Sequence, residues 1–523
     1  MNRKLTKLLR NMPVLAAALL GLGLATAAPA QVKGQASAAP PGGEAPALGA
    51  GDRLEDTLAR AGFLLQEGTF EYLDTTKAAC LRQLPDALGN NPWPNAYLTL
   101  RLPLPPGSDY ELMNDWSWQL RADEAILLVG RTPPPAAYFS YQTWVAALPG
   151  DYEFDPVTKA KTLRTRRSIA LGDATNIATI RTKGNDRADR KIAYVVTGNR
   201  TTEARLRTAL RQAGISDETI NVETIAPALT PLGIGPAGSI FFVAERVAAP
   251  DDEDALTSYI RNPPYTAWRV TPKSPLAADP EPVPVLRPRG TGHTEMELWP
   301  AVKRLRQAIL DKERAASPSL TSVELVPRIW QTTIPGTGQK EILEKPFAAL
   351  QVDNFLWAAT RDTNYFQSPY FMLRSAVDEY VIVYGVNHQK SGKATYASVS
   401  VYLEPNQESG PGREFGLGTA LDRSFGQSAR YYLPDDPQAD SLYVLKLARS
   451  CGGSGPACLE VRPPAQLDMN GVHYDCDPPI DLDAKLMYFV ARGYMEPETS
   501  VGPDDNELVW DRGIYFSASP KQQ

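Results

Sequence analysis

Two stretches of the sequence combine aromatic rings and hydroxyl groups in the same order. The first row is Tyr138, Ser140 and Trp144, and the second row is Tyr396, Ser398 and Tyr402. Alternate side chains of a β-strand point to the same face, so each row occupies one face of its strand. Rings offer flat apolar area and hydroxyls fix orientation, which suits a carbohydrate or another polar ligand. Cross-strand packing, or burial between the two segments, is the structural alternative.

A histidine, His388, precedes the second row in the segment VNHQKSGK, where Asn387 and Gly392 indicate a hairpin turn. A histidine that acts as a general base needs a positioned nucleophile and usually an orienting carboxylate. The chain contains no G-x-S-x-G nucleophile elbow and no H-E-x-x-H motif. We therefore predict an exposed loop histidine that contacts ligand at most, and we assign no catalytic residue and no cofactor.

The chain has four cysteines, Cys80, Cys451, Cys458 and Cys476. Three pairings are possible, and the short glycine-rich spacing favours a bond between Cys451 and Cys458, which would leave Cys80 for Cys476. The spacing does not fit paired C-x2-C zinc knuckles. The sequence therefore predicts disulfides and an oxidising compartment.

An acidic cluster near the C-terminus is a weak candidate for a calcium site, since calcium takes six to eight oxygen ligands. Its members are Asp475, Asp477, Asp481 and Asp483. The cluster lacks the glycine and the distal glutamate of an EF-hand loop, so a solvated acidic loop is the preferred interpretation and no metal is assigned.

The N-terminus has the pattern of an export signal over residues 1–30. Basic residues precede an apolar run of about a dozen residues, and Ala28-Pro29-Ala30 offers a cleavage site. Residues 31–51 are rich in Ala, Pro and Gly and predict a disordered tether. No later segment is long and apolar enough to cross a membrane. We expect an exported protein, periplasmic or extracellular. Its net charge of -6 argues against a nucleic-acid partner.

The strand patterns that carry the two rows belong to a longer internal similarity. AILLVG, YFSYQTW and SIFFVAERVAAP in the first part of the chain correspond, in the same order, to YVIVYG, YASVSVY and LMYFVARGYMEP about 250 residues later. We predict two tandem, internally duplicated β-sandwich-like domains, a mainly β (α+β) fold with a few packed helices. The first copy covers 52–249, a proline-rich linker covers 250–292, and a helix plus the second copy covers 293–520.

Two helices stand out from the strand patterns. In the first copy, the strand pattern KIAYVVTG is followed by a helix and then by the strand pattern TINVETI, which predicts a β-α-β segment. Thr201 or Thr202 is expected to cap this helix and Gly214 to end it. Apolar residues at steps of three and four predict a second helix from Trp299 to about Ala315. The whole pattern predicts a binding protein for a polar or carbohydrate-like ligand, held on a sheet face or between the copies. A secreted hydrolase acting on envelope or extracellular polymers, or a structural envelope protein, are the alternatives.

Overall fold

The computed structural model describes residues 51–81, 93–108, 112, 115–159, 161–329, 346–351, 358–376, 378–403, 416–452, 455–476 and 480–518. Both the predicted signal and nearly all of the predicted tether lie outside these residues. Six α-helices are present in them: α1 Gly51–Arg60, α2 Thr75–Cys80, α3 Arg200–Gln212, α4 Glu253–Arg261, α5 Trp299–Ala316 and α6 Pro346–Gln351.

The N-terminal half, defined by the strands of residues 63–272, has one large curled sheet and a small hairpin. Its strands are β1 Phe63–Tyr72, β2 Ala96–Arg101, β3 Ala125–Arg131, β4 Ala136–Ala147, β5 Tyr152–Phe154, β6 Lys161–Leu163, β7 Ile169–Ala170, β8 Thr175–Asn176, β9 Lys191–Thr197, β10 Ile220–Thr224, β11 Ile240–Pro250 and β12 Tyr265–Pro272. The order in the large sheet is β10-β9-β3-β12-β1-β2-β11-β4-β7, with β8 also on β4, while β5 and β6 pair separately. Leu98, Leu128 and Phe139, from three separate strands, share one core, so the sheet curls around its own apolar face.

The C-terminal half, defined by the strands of residues 320–518, has two five-stranded sheets. Its strands are β13 Leu320–Leu325, β14 Arg328–Ile329, β15 Phe366–Gln367, β16 Glu379–Val386, β17 Tyr396–Leu403, β18 Gly416–Leu421, β19 Leu442–Ala448, β20 Cys458–Glu460, β21 Met487–Tyr494 and β22 Arg512–Ala518. The orders are β13-β22-β16-β19-β20 and β14-β15-β21-β17-β18. Val383 and Leu445 of one sheet meet Val401 and Phe489 of the other, so the two sheets pack as a sandwich.

The two helices that the sequence predicts, α3 and α5, cover outer faces of these sheets. In α3, Leu206 and Leu210 lie one turn apart and pack on Ala125 and Val195 of the sheet. The N-cap of α3 is Asn199, whose side chain accepts the N–H of Thr202, so the predicted Thr201 or Thr202 cap is wrong by two or three residues. Asparagine caps a helix at least as well as threonine does, so residue type alone does not choose among Asn199, Thr201 and Thr202.

The predicted fold class is confirmed, because the described chain is mostly β with several sheets and few helices. The range 250–292, where a proline-rich linker was predicted, contains the helix α4 and the central strand β12. Residues 273–292 belong to neither a helix nor a strand. All the sheets belong to one compact unit. Internal duplication and the division into two domains stay predictions.

Candidate functional site

The two predicted rows are buried in the interior of the protein. All six of their side chains, Tyr138, Ser140, Trp144, Tyr396, Ser398 and Tyr402, are at most 4% exposed. The opposite faces of β4 and β17 are buried as well. Neither row is therefore an open sheet face in this structure.

The rows instead meet each other where the two halves join. The ring centroid of Tyr138 lies 6.1 Å from that of Tyr396 and 4.9 Å from that of Tyr494, and Tyr396 stacks on Tyr494 at 4.5 Å. Trp144 crosses the same junction, since its Nε1 donates to the carbonyl oxygen of Ala359 at 3.1 Å. These contacts match the structural alternative, in which the rows are buried between the two segments.

Each row is accompanied by an arginine on the neighbouring strand. Arg246 of β11 lies opposite Ser140 in the sheet register and 4.7 Å from the centroid of Trp144. Arg492 of β21 lies opposite Ser398 and 5.5 Å from the centroid of Tyr402. In the sequence match of SIFFVAERVAAP with LMYFVARGYMEP, Arg246 falls on Gly493, one position beyond Arg492. The pairing of the strands shows that the two arginines are equivalent, because each lies opposite the serine of its row.

A buried carboxyl group, Asp362, joins the first row to the C-terminal half. Its Oδ2 accepts hydrogen bonds from the hydroxyl of Tyr138 and from Nδ2 of Asn176, both at 2.9 Å. Burial, only partly offset by these two donors, raises the pKa of Asp362 from 3.8 to about 6. The junction therefore contains a carboxyl group that titrates in mildly acidic solution.

The prediction of an exposed histidine at His388 is wrong. The side chain is 2% exposed, with Nδ1 2.8 Å from Glu295 Oε1 and Nε2 3.3 Å from Asp511 Oδ2. Burial lowers the pKa of His388, but the two carboxylates outweigh this effect and hold the pKa well above its usual value. His388 is thus a charged link between three segments, and its position in a hairpin turn did not reveal these distant partners.

The space beside these residues is too small for an organic ligand. A hollow lined by His388, Ser398 and Arg492 measures about 10 Å³, which is room for about one water molecule. The predicted residues are therefore brought together as a packed junction.

A larger opening lies between the two halves at a place that the sequence did not predict. This interhalf cleft measures about 450 Å³. The N-terminal half lines it with Tyr72, Asp74, Trp93 and Asn95, and the C-terminal half lines it with Asp468 and Tyr474 among others. Trp93 is 44% exposed. The cleft therefore combines three aromatic rings with carboxylate and amide groups.

Local structure fixes both walls of the cleft. Asp74 caps α2 by accepting the N–H of Lys77 at 2.9 Å, and α2 ends at Cys80. Cys80 is bonded to Cys476, two residues beyond Tyr474. A short turn closed by the pairing of Leu467 with His473 presents the opposite wall. The disulfide therefore ties the two walls together.

The electrostatics of the cleft are dominated by two carboxylates and one lysine. Lys77 Nζ lies 2.9 Å from Asp468 Oδ2, and this pair lowers the pKa of Asp468. Burial raises the pKa of Asp74, which makes no side-chain ion pair among the residues that the structure describes. The site thus offers Asp74 as an acceptor, while Asp468 is held in a pair.

The other predicted sites have separate outcomes. Cys451 is bonded to Cys458 and Cys80 to Cys476, so the favoured pairing is confirmed. Asp477 lies outside the described residues. Asp475 is 92% exposed, Asp481 caps a 3-10 turn and Asp483 accepts from Ser375. Within the described ranges no three His, Cys, Asp or Glu side chains are grouped to hold a metal ion.

Among the residues that the structure describes, no helix has the length and apolar character that a membrane crossing requires. No protein-family model matches the chain, and no curated protein matches it either.

Proposed function

We propose that this chain is an exported binding protein that holds a polar, carbohydrate-like ligand in the interhalf cleft. The observation that carries the proposal is the lining of the cleft, where the rings of Tyr72, Trp93 and Tyr474 stand beside Asp74 and Asn95. Pockets of about 300 to 1,000 Å³ with rings and a few polar groups are typical of small-ligand sites. The cleft volume of about 450 Å³ falls in that range.

The chemistry of the lining favours a neutral, hydroxyl-rich ligand. Rings bind the apolar faces of a sugar, and the exposed ring of Trp93 is available for such a contact. A charged carboxylate makes stronger hydrogen bonds with hydroxyl donors than a neutral acceptor does. Asp74 supplies that acceptor, while Lys77 is occupied by Asp468 and so adds little attraction for an anion.

Export is proposed from the predicted signal and is supported by the two disulfides, since such bonds persist in oxidising compartments. The burial of both rows argues against a ligand on a sheet face in this conformation.

The test is calorimetric titration of the purified chain with a panel of neutral oligosaccharides. We expect saturable binding that weakens about tenfold in Trp93→Ala, because a stacking ring is lost. Asp74→Asn should weaken binding about fivefold or more while keeping the helix cap, since asparagine also caps helices. Tyr431→Ala removes a ring that is 40% exposed and does not line the cleft, so it should bind normally.

Three results would overturn the proposal. Absence of binding across the panel would favour a structural envelope protein. Binding that survives both cleft substitutions would place the site elsewhere. Turnover of glycosides or esters that is abolished in Asp74→Asn would establish a hydrolase.

A further inference from the structure

A second groove lies away from the interhalf cleft, on the surface between two helices of the N-terminal half. This helical groove measures about 720 Å³ and is lined by α1, the turn after it and α3. Its charged lining residues are Arg60 and Arg205, and Gln212 adds an amide. None of the described residues that line it is acidic. The groove is therefore a basic patch on a chain whose net charge is -6.

Glu203 of α3 and Glu55 of α1 have partners outside this groove. Glu203 of α3 lies 2.9 Å from Arg207, which also contacts Asp217 at 3.1 Å. Glu55 of α1 accepts a hydrogen bond from Trp268 Nε1 at 3.3 Å. Neither Glu203 nor Glu55 lines the groove. Among the side chains that the structure describes, neither Arg60 nor Arg205 has a carboxylate within salt-bridge distance, whereas Arg207 has two.

The local backbone holds Arg205 in place at the groove. Its guanidinium lies 5.0 Å from the ring centroid of Phe63, and Nη2 donates to the carbonyl oxygen of Ala61 at 2.8 Å. Gly62 has a φ of +86°, and a Cβ there would come within 2.9 Å of Arg205 Nη2. Glycine therefore permits both the turn and the approach of the arginine. Arg60 Nη2 donates to Thr57 Oγ1 at 2.9 Å, within α1.

We propose that the helical groove binds a small anionic ligand, whose phosphate or carboxylate group is held by Arg60 and Arg205. A guanidinium presents five N–H donors in a planar fork that matches the oxygens of these groups. One donor of each arginine is occupied by the protein, and the rest of each fork serves the ligand. The Gln212 amide supplies a further donor. This site is independent of the interhalf cleft and of its ligand.

The test is calorimetric titration with inorganic phosphate and, separately, with acetate, at low ionic strength. We expect saturable binding that weakens with added salt, because the groove is open to solvent. The double variant Arg60→Gln/Arg205→Gln should lose at least about tenfold in affinity, the scale of a lost charge-assisted hydrogen bond. The single variant Arg60→Gln changes only an exposed side chain and should show a smaller loss with folding retained.

A matched control removes the same charge from another helix. Arg304→Gln/Arg314→Gln alters two exposed arginines of α5 and should bind both anions as the parent protein does. Equal loss in the two double variants would show a general charge effect and would overturn the proposal. Absence of phosphate and acetate binding, or binding only to vesicles that contain anionic lipid, would overturn it as well. None of these results bears on oligosaccharide binding, so the two proposals fail separately.

Discussion

Removal of the two disulfides should have unequal effects on stability, because they close loops of very different length. Cys80 and Cys476 are 396 residues apart, whereas Cys451 and Cys458 are 7 residues apart. A cross-link restricts the unfolded chain more when the loop is longer. The loop-closure entropy corresponds to about 6 kcal/mol for the long loop and about 2 kcal/mol for the short one at 25 °C.

The experiment compares two double variants, Cys80→Ala/Cys476→Ala and Cys451→Ala/Cys458→Ala, by urea denaturation. Alanine is preferred to serine because Cys80 and Cys476 are buried and a hydroxyl there would lack partners. The first variant should lose at least about 2 kcal/mol more free energy of unfolding than the second. Its denaturant slope should also rise, since an unlinked unfolded chain exposes more surface.

The same pair of variants tests the role of the long disulfide in the interhalf cleft. Since this bond ties α2 to the segment that carries Tyr474, its loss should weaken oligosaccharide binding, whereas loss of the short bond should not. Equal stability losses with equal denaturant slopes would refute the loop-length reasoning. A larger loss from the Cys451 and Cys458 pair would refute it more directly.

Two further predictions concern buried charges. Glu245 accepts hydrogen bonds from Tyr141 and Tyr259 at 2.7 and 2.9 Å, and burial without a cation raises its pKa from 4.5 to about 8. Between these two pH values the folded state retains a proton that the unfolded state has lost. The contribution of Glu245 to the free energy of unfolding is therefore complete below pH 4.5 and is lost as the pH rises through 8. The full loss is about 5 kcal/mol. Glu245→Gln should flatten the stability profile from pH 5 to 8 in urea titrations, and an unchanged slope would contradict this assignment. His388→Gln should cost about 3 to 5 kcal/mol at pH 7, because Glu295 and Asp511 would remain buried without their cation. The exposed His473 is the control, and a loss in His473→Gln as large as in His388→Gln would show that the buried pairing is not the cause.

The local elements of this fold were largely predictable from the sequence. Period-two alternation identified β4 and β17, and helical spacing identified α3 and α5 to within a few residues. These patterns are readable because backbone geometry fixes the direction of each side chain over short distances. The favoured cysteine pairing was also readable, since a seven-residue separation is easily closed and leaves one remaining pair.

The environment of the predicted residues could not be read in the same way. The rows of Tyr138 and Tyr396 have the composition of a ligand-binding face, and the same composition serves a junction in which the rings stack on each other. His388 was placed in its turn, but Glu295 lies 93 residues before it and Asp511 lies 123 residues after it. Burial and pKa follow from these partners, and no local pattern identifies them.

The strand-rich composition, the alternating faces and the two outer helices follow from the sequence, which also favoured one pairing of the cysteines among three. Tertiary structure alone decided that both faces of β4 and β17 are covered and that Arg246 corresponds to Arg492. It also created the interhalf cleft, because Asp468 and Tyr474 lie far along the chain from Asp74 and Trp93. Spacing along a chain encodes which face a side chain takes, whereas only the packing of distant segments determines what that face meets.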